Sequence, residues 1–188
     1  MIYGVFGLPG SGKSTLFAKI AKKALRRGEN VYSNFYIKGT YKLKFSDLGK
    51  RDFHDCTILI DEISLFADSR AWKDFDENLI YFFATHCRHA RCEVWWASQS
   101  WSDSDKKIRN LTDTMYYLKR SFIPHVSTMR TIAKSFEVAD TIIDGYKLVG
   151  LPQFIIRPLY YKMFDSFTTR ILPPVLNIPW SSDLSKKN

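Results

Sequence analysis

The chain has little that would hold it together covalently and little that would carry it through a lipid bilayer. Its three cysteines, Cys56, Cys87 and Cys92, form an odd set without C-x-x-C spacing. That excludes a disulfide framework and a zinc knuckle and fits a reducing cytoplasm. No run approaches the ~18 uninterrupted apolar residues of a spanning helix, so none is expected. Met1 leads straight into an apolar strand and a glycine-rich turn, which leaves no room for a cleavable signal. No repeat or low-complexity tract is present, which excludes solenoid and fibrous architectures. Acidic residues are also scarce: 19 Asp and Glu stand against 28 Lys and Arg, a formal charge of +9. Such a surface attracts an anion, whether nucleic acid, an acidic protein or the inner face of a membrane, and charge alone does not choose among them.

What is present is apolar and aromatic. With 45% hydrophobic and 15% aromatic residues in 188, the chain can bury one good core, so one domain is expected over 1–172. The stretch 173–188, opened by Pro173-Pro174 and interrupted by Pro179, is expected to be a poorly ordered tail.

Ile2 to Phe6 predicts a short buried strand, and the Gly-Leu-Pro-Gly-Ser-Gly run after it a turn feeding a helix from Lys13 to about Arg27. Phe17, Ile20, Ala21, Ala24 and Leu25 form the apolar stripe of that helix, with Lys19, Lys22, Lys23, Arg26 and Arg27 on another face and Gly28 as the stop. Further strands are expected at Val31 to Ile37, Thr57 to Ile63, Glu93 to Ser98 and Thr114 to Lys119, with a helix from about Arg70 to His86. Trp95 and Trp96 are bulky for a parallel core strand. Shorter aromatic-rich runs at Ser127 to Glu137 and Gln153 to Phe164 predict antiparallel additions to one edge. The whole reads as an α/β fold, a mostly parallel central sheet with helices on both faces and a C-terminal antiparallel extension.

Gly7-Leu8-Pro9-Gly10-Ser11-Gly12-Lys13-Ser14 satisfies G-x-x-x-x-G-K-[ST] and sits between a strand and a helix, where the mechanism of that pattern requires it. The glycines let the loop curl so that backbone N–H groups from Gly10 to Ser14 face inward, and the helix N-terminus adds its partial positive charge. Lys13 is expected to bridge the β- and γ-phosphates of ATP. Ser14 is expected to ligate Mg²⁺, and Thr15 is the next hydroxyl within reach of the α-phosphate. Ile58-Leu59-Ile60-Asp61-Glu62 is an apolar strand ending in two carboxylates. Asp61 is assigned to the magnesium hydration shell and Glu62 to the general base that polarises the attacking water. Gln99 ends the next strand with a neutral amide able to sense a γ-phosphate or orient water. Together these features indicate a P-loop NTPase of the RecA/ASCE-like kind that hydrolyses ATP, rather than a P-loop kinase, which brings an acceptor and usually lacks that glutamate.

The N-terminal phosphate loop, Ile60-Asp61-Glu62, Thr85-His86-Cys87-Arg88-His89 ahead of a strand ending in Ser98-Gln99, and then Ile108-Arg109 together resemble the zonular occludens toxin (Zot) family. That family includes the assembly ATPases of filamentous phages and stands with the FtsK/HerA motors. The resemblance covers roughly residues 1–165, including the run from Tyr161 to Asp165. It implies an oligomeric motor, in ring form, at the cytoplasmic face of the bacterial inner membrane that drives extrusion of a single-stranded DNA phage, with coat or assembly proteins or the DNA as partners. Members usually continue into a membrane span, so anchoring would come from a partner or from a C-terminal segment that is missing here. Glu93 stands where the family has an aspartate.

A ring motor needs a cation from a neighbouring subunit to stabilise charge on the transferring phosphoryl group. Arg88 is the first candidate through the Arg-His element, followed by Arg70 and Arg109. His89 reads as a packing or hydrogen-bonding residue. Lys106, Lys107, Arg109, Lys119 and Arg120 collect charge near the later strands, where a pore or DNA-facing loop is expected, and Trp101 could stack on a base. The alternatives are a cytoplasmic DNA-translocating or packaging ATPase of the FtsK/HerA type and, less favoured, a small P-loop kinase.

Overall fold

The computed structural model of the chain describes residues 1–63, 81–100, 106–132 and 148–164, apart from the side chains of Phe45, His86, Arg88 and Lys106. In chain order these form β1 (Ile2–Phe6), α1 (Lys13–Arg26), β2 (Asn30–Ser33), β3 (Tyr41–Lys42), a 3₁₀ turn (Phe45–Asp47) and β4 (Cys56–Ile60). A π-helical turn (Phe82–His86) then runs into α2 (Cys87–His89), followed by β5 (Glu93–Ser98), α3 (Lys106–Leu111), β6 (Thr114–Arg120), β7 (Val126–Ile132), β8 (Leu148–Ile156) and a 3₁₀ segment (Arg157–Met163).

The strands form one sheet in the order β3-β2-β4-β5-β1-β6-β7-β8. From β3 to β6 all neighbours are parallel, while β7 and β8 are added antiparallel at the edge. Most important for function, β5 lies between β1 and β4. The strand carrying the two acids is therefore separated from the phosphate-loop strand by the strand that ends at Gln99.

Alternation along each strand sorts the core into two layers. Ile2 and Phe6, Ile58 and Ile60, Val94 and Trp96, and Met115 pack on one face with Phe82, Phe83, Cys87 and Ile108. Val5, Leu59, Trp95, Ala97 and Leu118 pack on the other with Leu16, Phe17, Ala21 and Ala24 of α1. The sheet is thus covered on both faces, as a parallel sheet requires. Gly28, at φ 79°, ends α1 and donates its N–H to the Leu25 carbonyl at 3.1 Å.

Neighbouring residues make room for the two tryptophans. Gly4 pairs with Trp96 across β1 and β5, and a Cβ at Gly4 would lie 2.7 Å from Trp96 Cζ2. Buried Trp96 meets Phe6 edge-on at 5.2 Å and donates its indole N–H to Thr112 Oγ1 at 2.9 Å. Trp95 stacks on Tyr3 at 4.2 Å and Tyr116 at 5.7 Å. Glu93 accepts the Trp95 indole N–H at 2.7 Å and lies 3.5 Å from Arg27, both within reach of its longer side chain. The three thiols are free and buried, with the sulfurs of Cys56 and Cys92 3.4 Å apart.

Three expectations change. The second strand ends at Ser33 rather than Ile37, because Asn34 turns its amide to the tip of β4; Ile37 keeps one isolated bridge to Phe164. The run from Gln153 to Phe164 is not one strand. β8 begins earlier, at Leu148, and Pro158, which lacks an N–H, opens the 3₁₀ segment that follows. Pro152 is accommodated within β8 because this strand is the sheet edge. Of the helix expected from Arg70 to His86, Tyr81 to His86 fall within the described residues, with Phe82–His86 π-helical; the rest, like Ala133 to Glu137, Trp101 and the tail, lies outside them. Among the described residues no helix is long and apolar enough to cross a membrane.

Thr112 accepts the Trp96 indole N–H in the core, and its own hydroxyl donates to the Ile108 carbonyl at 2.7 Å. Thr112→Val therefore strands a buried donor and is expected to lower unfolding free energy by about 1–3 kcal/mol in urea titrations followed by Trp fluorescence.

Candidate functional site

The site is built where β1 stops and α1 starts. Gly10 and Gly12 have φ of 73° and 102°, conformations that L side chains rarely adopt, and they let residues 7–13 curl back over the end of the sheet. The loop closes on itself through Ser11 N–H to the Leu8 carbonyl at 3.0 Å, leaving Leu8, Pro9 and Gly10 exposed at its tip. Gly12 then caps α1, whose first turn holds no acidic residue, so its N-terminal partial charge is uncompensated from within the helix.

Lys13 lies in this curl with only 7% of its surface exposed, and its Nζ donates to the Gly7 carbonyl at 2.7 Å. Burial pushes its pKa below the ordinary lysine value, against the opposing pull of the Asp61 and Glu62 carboxylates. Ser14, one residue on, donates its hydroxyl to Asp61 Oδ2 at 3.1 Å, across 47 residues of sequence. Thr15 is buried. The loop and the tip of β4 therefore meet, although their strands are not neighbours in the sheet.

Asp61 is held from three sides. Asn34 donates its side-chain N–H to the Asp61 carbonyl at 2.8 Å and accepts the Asp61 N–H at 2.8 Å, a two-point clamp on the backbone. Burial raises the Asp61 pKa above its usual value, while Lys13 and the Ser14 hydroxyl pull it back. Oδ1 accepts the Glu62 N–H at 3.1 Å. Glu62 itself has φ 52°, in the left-handed region, which turns the chain sharply out of β4. Its Oε1 accepts a hydrogen bond from Gln99 Nε2 at 2.6 Å. The expected trio of Asp61, Glu62 and Gln99 is thus brought together beside Lys13 and Ser14.

The donor set fits a magnesium ion. Ser14 Oγ and Asp61 Oδ2 are hard oxygens already in contact, the carboxylate is buried where its charged form lacks full compensation, and both face the loop that would hold phosphates. The curl and the buried ammonium fit a triphosphate for the complementary reason.

Of the arginine candidates, Arg88 belongs to α2 by its backbone, with its side chain outside the description; Arg109 is half-buried on α3; Arg70 lies outside the described residues. His89 is exposed. Two site residues escaped sequence reasoning. Asn34 carries no local signal, because a lone Asn after a strand reads as a turn. Arg120 was visible as part of a basic pair, but it points to the phosphate loop rather than serving as a DNA-facing charge: its Nε donates to the Gly10 carbonyl at 2.9 Å.

Fold and loop together are those of a P-loop NTPase domain, with a strand inserted between the phosphate-loop strand and the acid-bearing strand. No protein-family profile matches the chain, and no curated protein matches it. Among solved structures the chain is similar to the N-terminal domain of zonular occludens toxin from Neisseria meningitidis, at 16% identity and a TM-score of 0.58, over 87% of this chain and 98% of that one. It is also similar to a helicase ATPase domain, at 10% identity and a TM-score of 0.54, over 86% of this chain and 83% of that one. The flagellar accessory protein FlaH from Methanocaldococcus jannaschii matches at 13% identity and a TM-score of 0.50, over 69% of this chain and 76% of that one. The Zot resemblance thus holds at the level of the fold.

Two outcomes test this geometry. Asn34→Ala removes both clamps on Asp61 and is expected to lower unfolding free energy by about 1–3 kcal/mol; unchanged denaturation midpoints would contradict the clamp. The raised Asp61 pKa means that the native state binds this proton more tightly than the unfolded chain. The associated stability is present below the unfolded value of 3.8 and is lost as pH rises through the native pKa. In metal- and nucleotide-free buffer, Asp61→Asn is therefore expected to gain on the wild type in thermal melts as pH rises from 4 to about 7, and a flat difference would contradict it.

Proposed function

We propose that the chain hydrolyses ATP and acts as a motor of the Zot type, driving assembly and extrusion of a filamentous single-stranded DNA phage at the bacterial inner membrane. The observation that carries the hydrolytic part is the Gln99–Glu62 hydrogen bond beside the Ser14–Asp61 contact. A kinase brings its own acceptor hydroxyl and needs no amide to aim a carboxylate at water. Here an amide on the inserted strand fixes the rotamer of the acid that follows the metal-binding aspartate.

In this reading Lys13 leaves the Gly7 carbonyl to neutralise the β- and γ-phosphate oxygens of ATP. Ser14 and Asp61 hold magnesium, which when bound offsets charge on those oxygens. Glu62 accepts the proton of the attacking water as its oxygen bonds to the γ-phosphorus and the bond to ADP breaks. Gln99 keeps Glu62 aimed and, being next to it, carries the state of the nucleotide toward α3. Arg88 of a neighbouring subunit is the proposed trans cation, which makes a homo-oligomeric ring the working form.

Support for the phage-assembly role comes from the family resemblance in Arg88-His89, Gln99 and Ile108-Arg109, together with the likeness to the Neisseria Zot N-terminal domain over nearly all of that domain's length. The partners are then coat or assembly proteins or single-stranded DNA, at the cytoplasmic face of the inner membrane, with anchoring by a partner or by a further segment.

Turnover and binding measured together test the proposal. Glu62→Gln is expected to bind ATP and Mg²⁺ nearly as the wild type does while losing turnover by about 100-fold or more, the scale of a general base. Full turnover in that variant would remove Glu62 as the base. Strong stimulation by single-stranded DNA would favour the cytoplasmic DNA-translocating alternative, and indifference to DNA favours force applied to coat or membrane partners.

A further inference from the structure

The phosphate loop is not supported by its own helix alone. A Cβ at Gly7 would lie 2.5 Å from the Leu118 carbonyl oxygen, one at Gly10 2.5 Å from Arg120 Nη2, and one at Gly12 2.7 Å from Ser127 Oγ and 3.4 Å from Arg157 Cδ. The C-terminal extension therefore presses on each of these three glycines, which adds close approach to backbone conformation as a reason for glycine there.

The contacts are directed. Ser127, fully buried, donates its hydroxyl to the Ser11 carbonyl at 2.6 Å. Arg120 Nε donates to the Gly10 carbonyl at 2.9 Å, and Arg157 Nη1 reaches the same oxygen at 3.5 Å. Sheet register brings these donors to one corner: Arg120 pairs with Ser127 across β6 and β7, and Val126 pairs with Ile156 across β7 and β8. Arg157 follows Ile156 and is pinned by its own N–H to the His125 carbonyl at 2.9 Å. A one-residue slip of β7 would turn Ser127 to the other face of the sheet.

Neither arginine forms an ion pair with a carboxylate among the described residues, and Arg157 Nε and Ser11 Oγ are buried there without a hydrogen-bond partner. Two guanidinium groups converge on one carbonyl beside a buried lysine and a helix N-terminus. That concentration of positive charge is repulsive on its own and is relieved by an anion in the loop.

We propose that Ser127, Arg120 and Arg157 are positioning residues for the triphosphate, acting through the loop backbone. This inference rests on the triphosphate reading of that loop. A trans peptide is planar, with its C=O and N–H on opposite sides. Holding the Ser11 carbonyl against Ser127 therefore turns the Gly12 N–H the other way, toward the inside of the curl. Holding the Gly10 carbonyl fixes the adjoining peptide, whose N–H closes the turn on Leu8. A donor on each carbonyl also polarises its peptide. The antiparallel extension thereby preorganises the anion-binding N–H groups before nucleotide arrives, so its contribution is felt equally in the bound ground state and in the transition state.

Isothermal titration with ATP and Mg²⁺, paired with steady-state turnover, tests this on Ser127→Ala, Arg120→Met, Arg120→Lys and the Arg120→Met/Arg157→Met double variant, with Lys13→Ala as the reference for a lost phosphate contact. Ser127→Ala and Arg120→Met are expected to raise Kd and KM by about two- to tenfold each, one hydrogen bond's worth, with kcat nearly unchanged. The double variant is expected to lose more, and Arg120→Lys, which keeps a donor, to recover most of the affinity. Arg120 is exposed, so its substitution leaves the core intact. Wild-type affinity in both single variants, while Lys13→Ala is impaired, overturns this inference alone. So does a fall in kcat at unchanged KM, which would mean that these groups act on the transition state directly. A wild-type chain that takes up no nucleotide overturns the triphosphate reading and this inference with it.

Discussion

The rest of the structure is arranged around a charge that has been taken out of water. The Lys13 ammonium is nearly inaccessible, and withdrawing such an ion carries a penalty of several kcal/mol unless other groups compensate. The Gly7 carbonyl and the nearby acids at the tip of β4 provide part of that compensation. They do so only if the end of β1, the first turn of α1 and the end of β4 come to one place. Asp61, buried with its own pKa pushed the opposite way, has the matching problem. Each group makes the other's burial tolerable, and neither is fully satisfied, which is how a site ready for phosphates and a divalent cation differs from a structural ion pair.

The inserted strand is what makes this arrangement chemical as well as electrostatic. If β4 lay directly beside β1, no side chain at a third strand end would face the acids. With β5 between them, Gln99 emerges next to Glu62 and aims it. The same strand carries Trp95 and Trp96, one in each core layer, so the rigidity of the amide's platform derives from the heaviest packing in the molecule. On the far side of β1, the antiparallel strands close the loop from behind. The phosphate loop thus sits between the catalytic strands and a brace.

Much of this was legible in the sequence, for identifiable reasons. The phosphate loop, Asp61, Glu62 and Gln99 lie at strand ends whose apolar runs are unmistakable, and the backbone conformation of the loop follows from its glycines. The strands at Ile2–Phe6 and Glu93–Ser98 match their expected limits because both are buried on two faces, with polar or turn residues at their ends. What escaped depends on tertiary partners. Asn34 ends β2 early only because Asp61 is there to receive its amide. The segment after Ile156 looks extended until Pro158 is read as the start of a 3₁₀ turn rather than the middle of a strand. Arg120 looked like surface charge because nothing local says that β6 ends over the phosphate loop. Glu93, read as a departure from the family pattern, has a use in this chain: its length reaches both Trp95 and Arg27.

The left-handed backbone at Glu62 sets stability against activity at a single residue. A side chain there holds a conformation that glycine would adopt freely, at a strain of about 1–3 kcal/mol. Replacement by glycine would relax the chain and remove the carboxylate in one step. Any search that rewards thermal resilience alone would therefore drift toward an inert protein at this position, and the presence of a glutamate in so awkward a posture marks it as a residue retained for what it does rather than for how well it fits.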